Sequence, residues 1–290
     1  MAVMGDRDSV FEAQRPRLLG LTYRMLGSLT DADDVLQEAW LRWQGADVDE
    51  IVEPAAWLTT VTTRLALDRI RAIERRREDY VGPWLPEPVS LAAGPEDDLE
   101  LAESLTLGFL VLLDRLGPTE RAVFLLADVF REPFASIATA VGKSEEACRQ
   151  IASRARRKVR AGAEPAVQPA DRVLLGELVV AVAGGDVDRV LALCDADVTL
   201  VSDGGPNRHA ARRPVIGRER VVRFLVNIAG RLSGGTAAIE DINGVPAFVT
   251  HDEQGASVTF VEQRDGLVVA VRTVVNPDKM GGVGEPHLLR

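Results

Sequence analysis

Cysteine is nearly absent: Cys148 and Cys194 are the only two in 290 residues. Two thiols cannot build a disulfide framework or a four-ligand zinc site, so buried, inert thiols in a reducing cytoplasm are expected. Aromatic residues make up only 5% of the chain, and Tyr23 and Tyr80 are its two tyrosines. Histidine stops at three, His209, His251 and His287. No metal-ligand spacing joins these residues, and neither metal nor cofactor is expected. Long hydrophobic runs are missing as well. The longest, such as Leu105–Leu113, fall far short of the ~20 residues that span a bilayer. The first residues lack the apolar core of a secretory signal, so no membrane partner is expected. Positive charge is also in deficit, with 34 Lys and Arg against 44 Asp and Glu, a net charge of −10. That field repels phosphate and argues against a free-standing, non-specific nucleic-acid binder.

What remains is the composition of a folded protein, 46% hydrophobic and 27% charged, with length enough for two or three cores. Apolar residues recur at helical spacing from Phe11 to Trp43, interrupted at Gly27. Ser28 and Thr30 are both suited to cap the second of these helices. Val35, Leu36, Ala39, Trp40 and Trp43 form its apolar stripe. Pro54 opens another helix with a basic end. Residues 79–98 hold four prolines and two glycines, which stop helices and mark a linker. A plain spacer needs no tryptophan, so Trp84 points to a linker that docks. Residues 99–161 return to helical spacing, residues 162–170 form a second linker, and residues 171–290 begin with helices. The last part then turns to β-branched, alternating runs with an Asp265-Gly266 hairpin signal. The pattern predicts an α+β unit with a curved antiparallel sheet behind two helical domains spanning 7–78 and 99–161.

Charge is unevenly placed. Lys143–Arg160 carries seven basic residues against Glu145 and Glu146. It follows a short apolar helix and a turn at Gly142, the layout of a helix-turn-helix. Lys143, Ser144, Glu146, Arg149 and Gln150 would then face base edges, and Arg154–Arg160, with Arg154 and Arg157 among them, would neutralise phosphates. Thr30–Glu53 carries eight acidic residues and only Arg42, whereas Arg64–Arg77 carries six basic residues against Asp68 and Glu74. One face suits a basic protein partner, the other DNA.

The stretches DADDVLQEAWLRW (31–43), PAAWLTTVTTRLALDRIRA (54–72) and FASIATAVGKSEEACRQIASRARRKVR (134–160) resemble the two helical regions of extracytoplasmic-function (ECF) sigma factors. WLPEP (84–88), DGG (203–205) and NPDK (276–279) narrow the resemblance to the subgroup with a fused C-terminal SnoaL-like domain. That subgroup continues its loop as Asp-Gly-Gly-Gly-Lys, whereas Pro206 and Asn207 stand here. The resemblance implies two all-α sigma domains and a cone-shaped α+β barrel. It implies that Asp31, Asp33, Asp34, Gln37, Glu38 and Trp40 bind RNA polymerase core at the β′ clamp helices, with the β flap as a further contact. Gly45–Glu53 would receive a base flipped from the −10 element, and Trp57, Arg64, Asp68 and Arg71 would lie along the melted strand. The helix-turn-helix would read the −35 element of promoter DNA. Trp84, Leu85, Pro86, Glu87 and Pro88 would be regulatory contacts of Asp203, Gly204, Gly205, Asn276, Pro277, Asp278 and Lys279. The free chain would be a monomer rather than an enzyme, with room for a small ligand in its last domain. Asp203 and His251 are the acid–base pair that a SnoaL-like isomerase or hydrolase would need, and surface placement of the two is the plainer expectation. A ligand-responsive helix-turn-helix regulator is the other alternative.

Overall fold

The computed structural model describes residues 2–47, 50–77, 80–91, 104–162, 167–230, 235–253 and 255–284. Three long helices open the chain. α1 (Ala2–Leu26) begins well before Phe11 and ends at Gly27, whose backbone is left-handed at φ +67°. The Ser28 hydroxyl accepts a hydrogen bond from the Asp31 N–H at 3.0 Å, so Ser28 rather than Thr30 caps α2 (Leu29–Gly45). α3 (Pro54–Arg77) starts on Pro54, where a helix has no use for the missing donor. α2 buries Val35, Leu36, Ala39 and Trp43. Trp40 falls at the rim of that stripe and is 36% exposed, contrary to its apolar spacing.

Among the described residues four helices follow: α4 (Leu107–Leu113), α5 (Pro118–Phe124, continued by a π turn at Leu125–Val129), α6 (Phe134–Val141) and α7 (Glu145–Gly162). One apolar core runs through both helical parts, joining Trp43, Leu58 and Ile70 to Leu113, Leu125, Ile137 and Cys148. Buried Arg121 adds a polar tie, donating to the Met25 carbonyl at 2.8 Å and to Asp114 at 2.7 Å.

In the last part α8 (Arg172–Ala183), α9 (Val187–Leu193) and α10 (Arg218–Ala229) lie against a seven-stranded sheet. Its strands are β1 (Gln168–Pro169), β2 (Cys194–Asp203), β3 (Val215–Ile216), β4 (Thr236–Ile242), β5 (Val245–Asp252), β6 (Gly255–Arg264) and β7 (Leu267–Val274). The order is β3-β2-β7-β6-β5-β4, with β1 on β6. The sheet is mixed rather than antiparallel, because β2 pairs parallel with β7. The long excursion through β3 and α10 permits that pairing, which no hairpin allows. β1 falls inside the segment read as a linker, so the sheet begins earlier than expected. β4, an Ala- and acid-containing edge strand, carries little strand signal in its sequence. Asp265-Gly266 turns with φ of +53° and +77°, and Asn243-Gly244 does the same with +54° and +74°.

The sheet is apolar on both faces. Along β5 and β6, Phe248 and Val261 face the helices of this unit, whereas Ala247, Val249, Val258 and Phe260 face the other way. That second face packs with Ile242 on Leu107 of α4 and on Met280 and Val283 beyond the sheet. The α+β unit is therefore seated on the helical part through a hydrophobic contact. Cys148 and Cys194 are buried and unpaired, and burial pushes the Cys194 thiol up to about 11. Among the described residues no helix is long and apolar enough to cross a membrane.

Candidate nucleic-acid interface

The helix-turn-helix is built on small residues. Cys148, Ala152 and Ala155 form the buried edge of α7, letting it lie close to α5 and α6. Gly142, at φ +67°, ends α6, and the Ser144 hydroxyl accepts from the Ala147 N–H at 3.2 Å to start α7. Lys143 and Ser144 therefore lie in the turn rather than on the helix. Lys143, Ser144, Glu146, Arg149, Gln150, Arg154 and Arg157 are all exposed. Arg149 pairs with Glu145 at 2.7 Å and stands 5.2 Å over the Phe134 ring. The expected phosphate-facing group is thinner than its composition. Arg156 turns back to Asp128 and Lys158 to Glu120, each at 2.7 Å. Arg154 and Arg157 have no such pair among the described residues.

The acidic helix α2 is laced to its neighbours. Arg69 lies 2.6 Å from both Asp31 and Asp34, Arg15 lies 3.6 Å from Asp33, and Arg42 lies 2.6 Å from Glu38. Gln37 and Trp40 are exposed beside them. Trp57 is half-buried, its ring 5.5 Å from Trp43, and lines a cavity of about 420 Å³ with Asp47, Glu50, Ile51, Val52 and Glu53. Val48 and Asp49 of that loop lie outside the described residues. Asp68 and Arg71 pair at 2.9 Å on the surface. Arg64 behaves differently. Its guanidinium donates to the carbonyls of Thr139 at 2.7 Å and Ala140 at 3.3 Å. These are orphan carbonyls at the C-terminal end of α6, where the helix dipole favours a cation.

The three short motifs meet at one junction. Leu85, Glu87 and Val89 bond through both backbone groups, whereas the buried residues between them, Pro86 and Pro88, have no N–H to satisfy. The Leu85 N–H donates to Asp203 at 2.8 Å and its carbonyl accepts from Lys279 Nζ at 2.5 Å. The Glu87 N–H donates to the Gly27 carbonyl at 2.9 Å, and its carbonyl accepts from the Tyr23 hydroxyl at 2.5 Å. The Val89 N–H donates to Asn243 Oδ1 at 3.0 Å, and its carbonyl accepts from the Asn243 N–H at 2.8 Å. The Glu87 carboxylate also accepts from the Leu29 and Thr30 N–H groups at the start of α2, while burial holds its carboxyl above the usual range. Residues 92–98 of the linker, like 163–166 of the second, lie outside the described residues.

Asp203 is fully buried and receives Tyr80 Oη at 2.5 Å, Lys279 Nζ at 2.6 Å and the Gly205 N–H at 3.1 Å. Gly205 is needed there: at φ +56° it passes so close that a Cβ would lie 2.6 Å from Asn276 Nδ2. Gly204 is buried beside it. Asn276 donates to Tyr80 Oη at 2.9 Å and accepts from the Asp278 N–H, starting the single turn Pro277–Lys279. Pro277 and Asp278 themselves are exposed. Burial pushes Lys279 down to about 8, against the pull of Asp203, and burial with the Asp203 carboxylate drives the Tyr80 phenol up. Trp84 lies 3.3 Å from the Arg77 guanidinium and 3.9 Å from Lys279 Nζ, ring centroid to cation. It also presses on Gly27, where a Cβ would lie 2.7 Å from the indole. His251 stands exposed on β5 while Asp203 is buried in its own network, so the two do not form the acid–base pair considered from the sequence. His287 lies outside the described residues.

Sequence reasoning missed Asn243, which is fully buried. Its side chain donates to Tyr23 Oη at 2.8 Å and to the Leu105 carbonyl at 2.9 Å, besides serving Val89. The Asn-Gly pair at 243–244 is the available signal, since that dipeptide favours the left-handed turn.

Residues 10–77 match the family Sigma-70 region 2, and residues 107–159 match Sigma-70, region 4. The ECF RNA polymerase sigma factor SigJ of Mycobacterium tuberculosis (strain ATCC 25618 / H37Rv) is 39% identical over 293 residues, covering 94% of this chain and 93% of its own. The probable ECF RNA polymerase sigma factor SigI of Mycobacterium tuberculosis (strain CDC 1551 / Oshkosh) is 37% identical over 203 residues, 67% of this chain and 70% of its own. The crystal structure of Mycobacterium tuberculosis SigJ aligns with a TM-score of 0.74 at 37% identity, over 95% of this chain and 99% of that one. Two helical parts with a helix-turn-helix, an α+β unit behind them and these likenesses agree: the chain belongs to the ECF RNA polymerase sigma factors, which direct transcription initiation.

Proposed function

We propose that this sigma factor binds polymerase core through the acidic face of α2 and promoter DNA through α3 and α7, and that its C-terminal unit controls in cis how readily those surfaces come free. Asp31, Asp33, Asp34, Gln37, Glu38 and Trp40 offer the β′ clamp helices an acidic face with an exposed indole. The cavity beside Trp57 offers an aromatic wall to a base flipped from the −10 strand, and such capture offsets an unstacking cost of a few kcal/mol. Arg64, Asp68 and Arg71 continue that path along α3. On the second helical part, which also meets the β flap, Arg149 and Gln150 face base edges of the −35 duplex while Arg154 and Arg157 take phosphates.

Arg64 carries the argument for control in cis. A cation suited to the melted strand is engaged with the Thr139 and Ala140 carbonyls of the helix-turn-helix. In this arrangement α3, with its −10 residue Arg64, is held against α6 of the helix-turn-helix, and separation has to precede promoter engagement. The grip of Asp203–Gly205 and Asn276–Lys279 on Trp84–Pro88 maintains it. The −10 net charge opposes binding to random DNA, and core supplies the missing affinity and geometry.

Run-off transcription with purified core tests this. The full chain is compared with Lys279→Ala, with truncations graded from Arg290 back to Asn276, and with a chain ending near Gly162. Lys279→Ala is expected to raise activity several-fold, and equal activity from every version would sink control in cis. Gel shifts with and without core test the sigma mode itself. Little promoter binding is expected until core is added, and tight binding by the free chain would favour a ligand-responsive regulator instead.

A further inference from the structure

We propose that the loop after β2 and the start of the linker together form a binding site for a small phosphorylated molecule. A cavity of about 180 Å³ lies between them, walled by Gly204–Arg212 on one side and by Val81 and Gly82 on the other. At ~30 Å³ of liquid volume per water, it holds about six waters. That suits a phosphate with a small organic part.

Its electrostatics run against the rest of the chain. Residues 204–214 contain three arginines and one histidine and no acidic residue, in a protein of net charge −10. Arg208, His209 and Arg212 line the cavity. Arg208 already has a partner and its guanidinium lies beside Gly255, so the fork that would match two oxygens of one phosphate is that of Arg212. Asp203, the acidic neighbour, is turned to Tyr80, Leu85 and Lys279, so its charge is already met on the far side of the loop. The lining is otherwise small, with Gly204, Gly205, Ala210 and Ala211. Val81, 41% exposed, gives the linker wall an apolar surface for the organic part.

The two walls nearly touch: a Cβ on Gly82 would lie 3.5 Å from the Arg212 Cα. The site is therefore whole only while the linker is docked, and an anion held there favours the docked state by its differential affinity. That regulatory consequence rests on the control in cis proposed above, whereas the binding itself does not.

Calorimetric titration of the full chain with inorganic phosphate and with pyrophosphate, at ionic strength held constant with sodium chloride, is the test. Saturable one-to-one binding is expected. Arg212→Ala should weaken it roughly tenfold or more. Val81→Glu, which sets a carboxylate on the opposite wall without touching the loop, should weaken it at least as much. Arg223→Ala, an exposed arginine on α10 outside the cavity, should leave Kd unchanged. No binding of either anion up to on the order of 10 mM, or wild-type Kd in both Arg212→Ala and Val81→Glu, overturns the site. The transcription comparison judges control in cis separately, so the two ideas fail in different assays.

Discussion

The helix-turn-helix and the linker junction both rely on charge, in opposite ways. On α7 the cations are numerous and exposed, and their ion pairs, Arg149 with Glu145 and Lys158 with Glu120, are made at the surface. Pairs of that kind contribute little to stability, about 0–1 kcal/mol each. At the junction the charges are few and buried. Lys279 and Asp203 are 6% and 0% exposed and satisfy one another, Leu85 and Tyr80. Breaking a buried pair strands the remaining charge, at about 3–5 kcal/mol. The first arrangement keeps charge available for a partner; the second spends it on holding the chain together.

The largest effect that would break this contrast lies at Lys279. Lys279→Ala should destabilise the full chain by about 3–5 kcal/mol in urea unfolding. Asp203→Asn combined with Lys279→Met should recover a good part of that loss, since neither charge is then buried alone. A double variant no better than the single one would show that the ion pair is not what holds the junction. Asn243→Ala comes next. It leaves the Val89 N–H and the Leu105 carbonyl without their partner, and about 1–3 kcal/mol is expected. Hydrogen exchange at the Val89 amide reads the loss directly.

On α7 stability should hardly move and recognition should. Arg157→Ala is expected to weaken holoenzyme binding to all promoters about equally and to lower the salt slope by about 1. Arg149→Ala should hurt some promoters more than others. Identical promoter profiles for the two variants would erase the division between reader and phosphate contact.

The smallest effect is in pH. Lys279 titrates near 8 when docked, against 10.5 ordinarily, so between those values the docked state has released a proton that the undocked state keeps. Docking therefore strengthens as pH rises through that window. Tyr80, held above its ordinary value, stays protonated there and adds no opposing change at its lower end. Cys194, pushed up to about 11 by burial, opposes that rise above pH ~9. The Lys279 contribution is therefore read as the difference between wild type and Lys279→Met in thermal unfolding between pH ~7 and ~10, which should grow with pH.

The same contrast explains what could be read from sequence. The helix-turn-helix is local: Gly142, the apolar spacing before it and the basic run after it lie within thirty residues or so, and helix periodicity displays them. The three short motifs pointed to one another only through a family likeness. Their geometry depends on contacts far along the chain, such as Tyr80 with Asp203 at a separation of 123 and Asn243 with Tyr23 at 220. No periodicity encodes which buried donor meets which acceptor at that range. The parallel pairing of β2 with β7 was hidden for a related reason, since alternation marks a strand but not its neighbour. Trp40 was misjudged because spacing alone cannot tell the middle of an apolar stripe from its rim.

The prolines at 86 and 88 reach beyond the docked state. Their rings hold φ near −65° wherever the segment lies, so release from Asp203 and Asn243 would not make it slack. Trp84–Pro88 would remain an extended rod of roughly 16 Å, at about 3.1 Å per residue. Once undocked, the two helical parts would be joined in this stretch by a stiff spacer, a ruler already cut before any partner is met.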